Sequence, residues 1–271
     1  MFRNLPPITK NLLLINIICY LADVVFQRSG ISFSQIFGLH YLTATEFHIW
    51  QPLTYMFMHA NFSHIFFNMF AVMMFAPALE ERWGSKRFLI YYLVTGLGAG
   101  VVQEIVWALQ LQPVLSSLDP LLAAKLANRV VTIGASGAVF GILLAFGWLF
   151  PEVRMFIMFI PIPIRARTLV IIYALIELFT GLAPSAGDNV AHFAHLGGMV
   201  FGWLLILWWR HRGYVGFDST PGMMVRSAAG GRISNVGSVI NGTICFLLAT
   251  PVLIKIRTAT TATITTTSRC R

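Results

Sequence analysis

At 271 residues the chain could form one or two soluble domains, but its composition excludes that: 57% of residues are hydrophobic and only 11% are charged, against roughly 25% charged in soluble domains. So few charges cannot cover a water-facing surface, and lipid is the solvent for most of the chain. Three widely separated cysteines, Cys19, Cys245 and Cys270, give neither a disulfide framework nor a zinc site.

In chain order, residues 1–10 are a short polar tail, followed by an apolar span at 11–27. Its start resembles a signal peptide, but no small-x-small cleavage site follows, so it reads as an uncleaved anchor. The connection 28–61 carries only Arg28 and Glu46 as formal charges. Its stretches ISFSQIFGLHYL and FHIWQPLTYMF suit a segment lying on or partly in the membrane. Further spans fall at 62–79, 88–110, 135–150, 168–183 and 190–209, each read against the roughly 20 residues that cross a bilayer. The connection 111–133 is long and more polar. The loop 151–167, PEVRMFIMFIPIPIRAR, is apolar in its middle but broken by prolines and is not a span. From Asp218 the composition turns to Gly, Ser and Thr. A weaker seventh apolar stretch, 236–254, contains Asn241, Thr243 and Pro251, and the terminal TATTATITTTSRCR is low-complexity and expected to be disordered. The expected organisation is an N-terminal tail 1–10, a six-helix membrane domain 11–210 and a C-terminal tail 211–271, in an all-α membrane protein.

The formal net charge of +9 would suit a nucleic-acid partner, but the positions of the charges argue for topology instead. With six spans, the N-tail, the 80–87 turn, the 151–167 loop and the tail after 209 share one face. That face carries 16 of the 19 Lys and Arg residues; Arg28, Lys125 and Arg129 lie on the other. This is the positive-inside bias, so both termini are expected in the cytoplasm and no nucleic acid is expected. A bacterial inner membrane is the expected location.

Ionisable residues within spans are costly and mark functional sites by default. Asp23, Glu104 and Glu177 fit a plainer role as packing polars. Others converge. His64 and Asn68 open the second span, Ser136 opens the fourth, and His192 and His195 open the sixth. Odd spans run outward and even spans inward, so all lie near the outer ends of inward-running helices. The fourth span has 16 residues before Pro151, about 24 Å at 1.5 Å per residue, which is shorter than the roughly 30 Å hydrocarbon core. It therefore starts below the outer surface. Gly134 and Gly137 permit a tight turn into it, and Ser136 sits at a helix N-terminus, where free N–H groups favour an anion.

On a 3.6-residue helix, Ala191, His195, Gly198 and Gly202 share one face, a small-residue face that allows close helix approach. Contact there would bring His195 to Ser136 as base and nucleophile; His192 lies on the flank. His64 and Asn68, one turn apart, could donate to an oxyanion or could simply tie the outer loop to the helix. His59 reads as structural.

These stretches resemble the rhomboid family of intramembrane serine proteases. GASGAVFG at 134–141 is similar to its G-x-S-G motif and AHLGGMVFG at 194–202 to its A-H-x-x-G-x-x-x-G motif. HANFSHIFFN at 59–68 contains its H-x-x-x-N pattern, and LEERWGSKRF at 79–88 resembles its acidic–Arg–Gly turn. The resemblance covers about residues 45–210. It implies a six-helix bundle and a Ser136–His195 dyad without a carboxylate third member. It further implies oxyanion contacts from Asn68, His64 and the Ser136 N–H, and Phe140 packed near His195. Substrates would be single-span or other transmembrane proteins in lipid, with neither metal nor cofactor required. Trp50-Gln51 stands where rhomboids carry Trp-Arg, which removes an arginine contact from that loop. Two rival classes remain: a polytopic transporter, for which no inverted repeat is visible, and a catalytically dead rhomboid relative, although such relatives usually lack the serine or the histidine.

Overall fold

The computed structural model describes residues 5–157, 160–183 and 191–214. The seventh apolar stretch and the low-complexity end lie outside the described residues.

Helix α1 (Pro7–Gln27) starts on a proline, whose missing N–H is no loss at a first helical turn. It is followed by α2 (Phe33–Phe37), β1 (Leu39–His40) and α3 (Gln51–Thr54), which tightens into a 3₁₀ turn at Tyr55–Phe57. Asn61 caps α4 (Phe62–Trp83) by accepting from the His64 N–H. Then come α5 (Ser85–Gln110), α6 (Gln112–Ser116), α7 (Pro120–Ala127), β2 (Val131–Thr132) and α8 (Ser136–Leu149). The chain continues through β3 (Arg154–Ile157), β4 (Ile160–Arg165), α9 (Ala166–Leu182) and α10 (His192–His211).

Helices α1, α4, α5, α8, α9 and α10 form the bundle, with bounds within a few residues of the expected spans. Three local features differ. Helix α1 begins inside the expected N-terminal tail, because the Glu80 carboxylate accepts from the backbone N–H groups of Ile8 (2.9 Å) and Thr9 (2.7 Å) and from the Thr9 hydroxyl (2.8 Å). The expected turn 80–87 shrinks to Gly84, which at φ +81° ends α4 and begins α5. The loop 151–167 contains an antiparallel hairpin, with Arg154 opposite Arg165 and Met155 opposite Ile164.

Helix α8 is the axis. It packs against α4, α5, α9 and α10, and all of its residues except Leu144 and Trp148 are buried. A helix that is apolar all round needs such an environment. Its 14 residues span about 21 Å, against lengths of 20 to 26 residues for α1, α4, α5 and α10, each long and apolar enough to cross a membrane. The outer helices turn Ile18, Val25, Leu109, Ile171 and Phe179 outward, as a lipid-facing surface requires. Close approach comes from missing side chains. A Cβ at Gly198 of α10 would collide with the Gly137 carbonyl of α8, and one at Gly202 with the Tyr91 ring of α5.

The start of α1, the Gly84 turn, the hairpin and the end of α10 gather at one end. Arginines there lie over aromatic rings: Arg82 over Phe150 (5.6 Å), Arg210 over Trp148 (5.8 Å) and Arg87 over Tyr214 (4.7 Å). The starts of α4, α8 and α10 meet at the opposite end.

Glu80 is 2% exposed and also accepts from the Ser85 hydroxyl, so it joins α1 to the α4–α5 turn. Hydrogen bonds to a charged group contribute about 1.5–3 kcal/mol each. Glu80→Ala should therefore lower thermal stability in detergent by about 2–3 kcal/mol, and Glu80→Gln by less.

Candidate active site

The approach to Ser136 is fixed before the helix begins. Strand β2 pairs with β1, Leu39 opposite Thr132 and His40 opposite Val131, and the Gly134 N–H donates to the Tyr55 carbonyl (2.9 Å). Gly134 has φ +137°, and a Cβ there would lie 2.7 Å from His64 Nε2 and 3.6 Å from Ser136 Oγ. A glycine is thus required both for the backbone turn and for the space between serine and histidine. Ser136 is the first residue of α8, so its N–H is among those with no intrahelical acceptor.

Helix α10 supplies the partner. His195 Nε2 lies 2.8 Å from Ser136 Oγ, and both residues are buried, at 0% and 1% exposure. The Phe140 ring stacks on the imidazole, with centroids 4.3 Å apart and 10° between planes, which fixes its plane from the α8 side. The structure thus brings together Ser136, His195, Phe140, Gly134 and His64, while Gly137 and Gly198 set the helix contact beneath them.

The second imidazole nitrogen has a partner that the sequence assigned to packing. Glu177 of α9 places Oε2 2.9 Å from His195 Nδ1 and 2.7 Å from His192 Nδ1. The expectation of a dyad without a carboxylate therefore does not describe this geometry: an acidic side chain 4% exposed reaches the histidine from a third helix. A signal existed. Glu177 lies in the second half of a span expected to run outward, toward the depth expected of Ser136. His192 does not reach the serine; its Nδ1 faces Glu177 and Thr180 Oγ1 (3.0 Å). Ligand atoms of Glu177, His192 and His195 lie within 4.8 Å of one another, a spacing open to a metal. Protons on the two Nδ1 atoms account for the same short contacts as hydrogen bonds to one carboxylate oxygen. Asp23 and Glu104 keep packing roles. Asp23 accepts from the Phe33 N–H and the Ser34 hydroxyl, and Glu104 from the Leu42 N–H.

On α4, the Ala60 N–H donates to His64 Nδ1 (3.4 Å), which leaves the ring proton on Nε2. That Nε2 is buried and has no hydrogen-bond partner among the described residues. Asn68, fully buried, donates one amide hydrogen to the His64 carbonyl (3.1 Å). His59 packs edge-on to His64, with centroids 4.9 Å apart, and burial pushes its pKa down to about 3, so it is neutral.

Gln51 changes the account of the loop before α4. It is 1% exposed. Its carbonyl oxygen accepts from the His40 and His48 N–H groups, and its amide donates to the Ile36 and Glu46 carbonyls. The arginine contact is absent, yet the loop is anchored, because one amide carries both donors and acceptors.

The family described as the Rhomboid domain matches residues 46–212, more than half of the chain. The chain belongs to the rhomboid family. The rhomboid domain thus covers α3 through α10 and every site residue named above, and the protein is an integral membrane protein. Among relatives, Rhomboid-like protein 11, chloroplastic, of Arabidopsis thaliana is 34% identical over 132 residues, 48% of this chain and 38% of its own length. Rhomboid-like protease 3 of Toxoplasma gondii is 27% identical over 199 residues, 71% of this chain and 65% of its own. YdcA of Bacillus subtilis (strain 168) is 31% identical over 156 residues, 58% and 65%. The chain therefore spans from over a third to just under two thirds of the length of these relatives.

In this rhomboid the α8–α10 contact sets the serine–histidine distance. Gly198→Ala should drive the two helices apart, lower stability by about 1–3 kcal/mol and slow labelling of Ser136 by a fluorophosphonate. Thermal denaturation and labelling rates check the two effects.

Proposed function

We propose that the protein is an intramembrane serine endopeptidase that cuts transmembrane segments near the outer membrane face. The observation that carries this reading is the 2.8 Å contact between Ser136 Oγ and His195 Nε2, buried at a helix N-terminus inside an apolar bundle. A substrate segment enters laterally and unwinds locally, which small helix-breaking residues in it would ease, because an intact helix keeps its carbonyls hydrogen-bonded. His195 takes the Ser136 proton, Ser136 attacks the scissile carbonyl, and His195 protonates the leaving amine. Water then releases the acyl-enzyme. The Ser136 N–H and the His64 Nε2 proton are the donors best placed for the oxyanion; Asn68, one turn along α4, supports His64 and is a further donor to it.

Charge fixes the orientation in this proposal. The arginine-rich end faces the cytoplasm with both termini, and the Ser136 end faces outward. The same bias fits a bacterial inner membrane, while relatives named for chloroplasts and mitochondria extend the family to organelles. Partners are transmembrane substrates and the surrounding lipid.

The test is labelling by a serine-directed fluorophosphonate together with cleavage of a reconstituted single-span protein. Ser136→Ala and His195→Ala should abolish both while the proteins remain folded, and His192→Ala should have much less effect. Cleavage unchanged in Ser136→Ala would sink the reading. A wild-type protein that neither labels nor cleaves would favour a non-catalytic rhomboid relative, and substrate movement that survives Ser136→Ala would favour a transporter. His64→Ala should lower kcat about 10²-fold, the typical loss of one oxyanion donor, with labelling of Ser136 slowed but retained.

A further inference from the structure

We propose that Glu177 is a positioning residue for His195, making the site a carboxylate–histidine–serine array assembled from three helices. The inference rests on the serine–histidine reading above. His195 can act as a base toward Ser136 only if Nε2 is unprotonated, so the ring proton must sit on Nδ1. Burial at 0% exposure removes water as a partner for that proton. Among the described residues the acidic atom within reach is Glu177 Oε2, at 2.9 Å, and a carboxylate can only accept. The contact therefore selects the Nδ1–H tautomer, and Phe140 stacked at 4.3 Å prevents the ring from turning away.

Once the proton has moved, the imidazolium is left in a low-dielectric site, where a fixed negative charge stabilises it most. His192 contributes to the same device. Its Nδ1, 2.7 Å from the same Oε2, is a second donor that holds the carboxylate on the His195 side of α9. Thr180 Oγ1, which also meets His192 Nδ1 at 3.0 Å, donates to the Ile176 carbonyl (2.6 Å) and so ties this donor to the α9 backbone. Glu177 meets neither Ser136 nor the oxyanion donors in any of these contacts, so it acts through His195.

The test compares Glu177→Ala, Glu177→Gln and Ser136→Ala in the full chain, in liposomes with a single-span substrate. Glu177→Ala should lower kcat about 10²-fold, within the usual range for acid–base assistance, with KM within about twofold. Glu177→Gln, which keeps a carbonyl acceptor for Nδ1–H but not the charge, should fall between alanine and wild type. A second measurement does not depend on how the variants fold. In 15N-histidine spectra of the wild-type chain at neutral pH, His195 should be protonated on Nδ1. Wild-type kcat in a folded Glu177→Ala protein, or a His195 ring protonated on Nε2, would overturn the proposal. Histidine shifts that change on adding EDTA would also overturn it, by making the cluster a metal site. If Ser136→Ala still cleaves, the serine reading itself fails, whatever Glu177 does.

Discussion

The separation between α8 and α10 is the constraint on which the rest depends. In lipid no hydrophobic force draws helices together, and contact must come from packing and polar interactions. Gly198 lies directly on the Gly137 carbonyl, so the two backbones meet with no side chain between them. Ser136 precedes that contact by one residue and His195 by three, so the contact fixes their 2.8 Å distance. Gly202, one turn further, rests on Tyr91 and Thr95 of α5, and Tyr91 donates to the Gly141 carbonyl of α8. Three helices are thereby locked in one register, and the shortest of them is held at the centre.

Buried carboxylates show how the same chemical group serves two ends. Glu80 and Asp23 lie near the ends of α4 and α1 and accept from hydroxyls and from backbone N–H groups at the starts of α1 and α2, donors that do not titrate. They fasten α1 to α4 and α2 to α1. Glu177 is equally buried, but its donors are two imidazoles, whose protons can move. Composition does not distinguish these three residues; only the partner does.

Much of the bundle was legible because lipid imposes simple demands. Six apolar runs gave six helices, and the small-residue face of α10 named His195 over His192, which the structure places away from the serine. The features that escaped depend on contacts between distant segments. Glu177 is a single acid in an apolar helix, 15 and 18 residues from its two partners, and no periodicity points it at them. Gln51 read as the loss of an arginine, because substitution at a motif position shows what is missing and not the four hydrogen bonds an amide can make instead. The hairpin at 154–165 was hidden by prolines that rule out a helix without predicting a strand pair. Helix α1 starts four residues before the expected span, because its cap, Glu80, lies some seventy residues along the chain.

The conformation of Gly134 connects the backbone to the chemistry. A turn at φ +137° brings the chain into α8 from β2, and the absence of a Cβ there leaves room for His64 Nε2 beside Ser136 Oγ. The Ala60 N–H occupies the other ring nitrogen, so the Nε2 proton has no acceptor among the described residues. A buried donor without a partner is unfavourable by about 1–3 kcal/mol, and packing alone would not maintain it. In the proposed reaction that donor would meet the negative charge developing next to Ser136, and a neutral donor already in place needs no reorganisation. Neutral His59, stacked edge-on to His64, holds that ring without adding a charge that would compete for the same oxygen. The positive-φ glycine, the tautomer of His64 and the neutrality of His59 are thus parts of one arrangement, and a side chain at residue 134 would disturb the turn and the donor together.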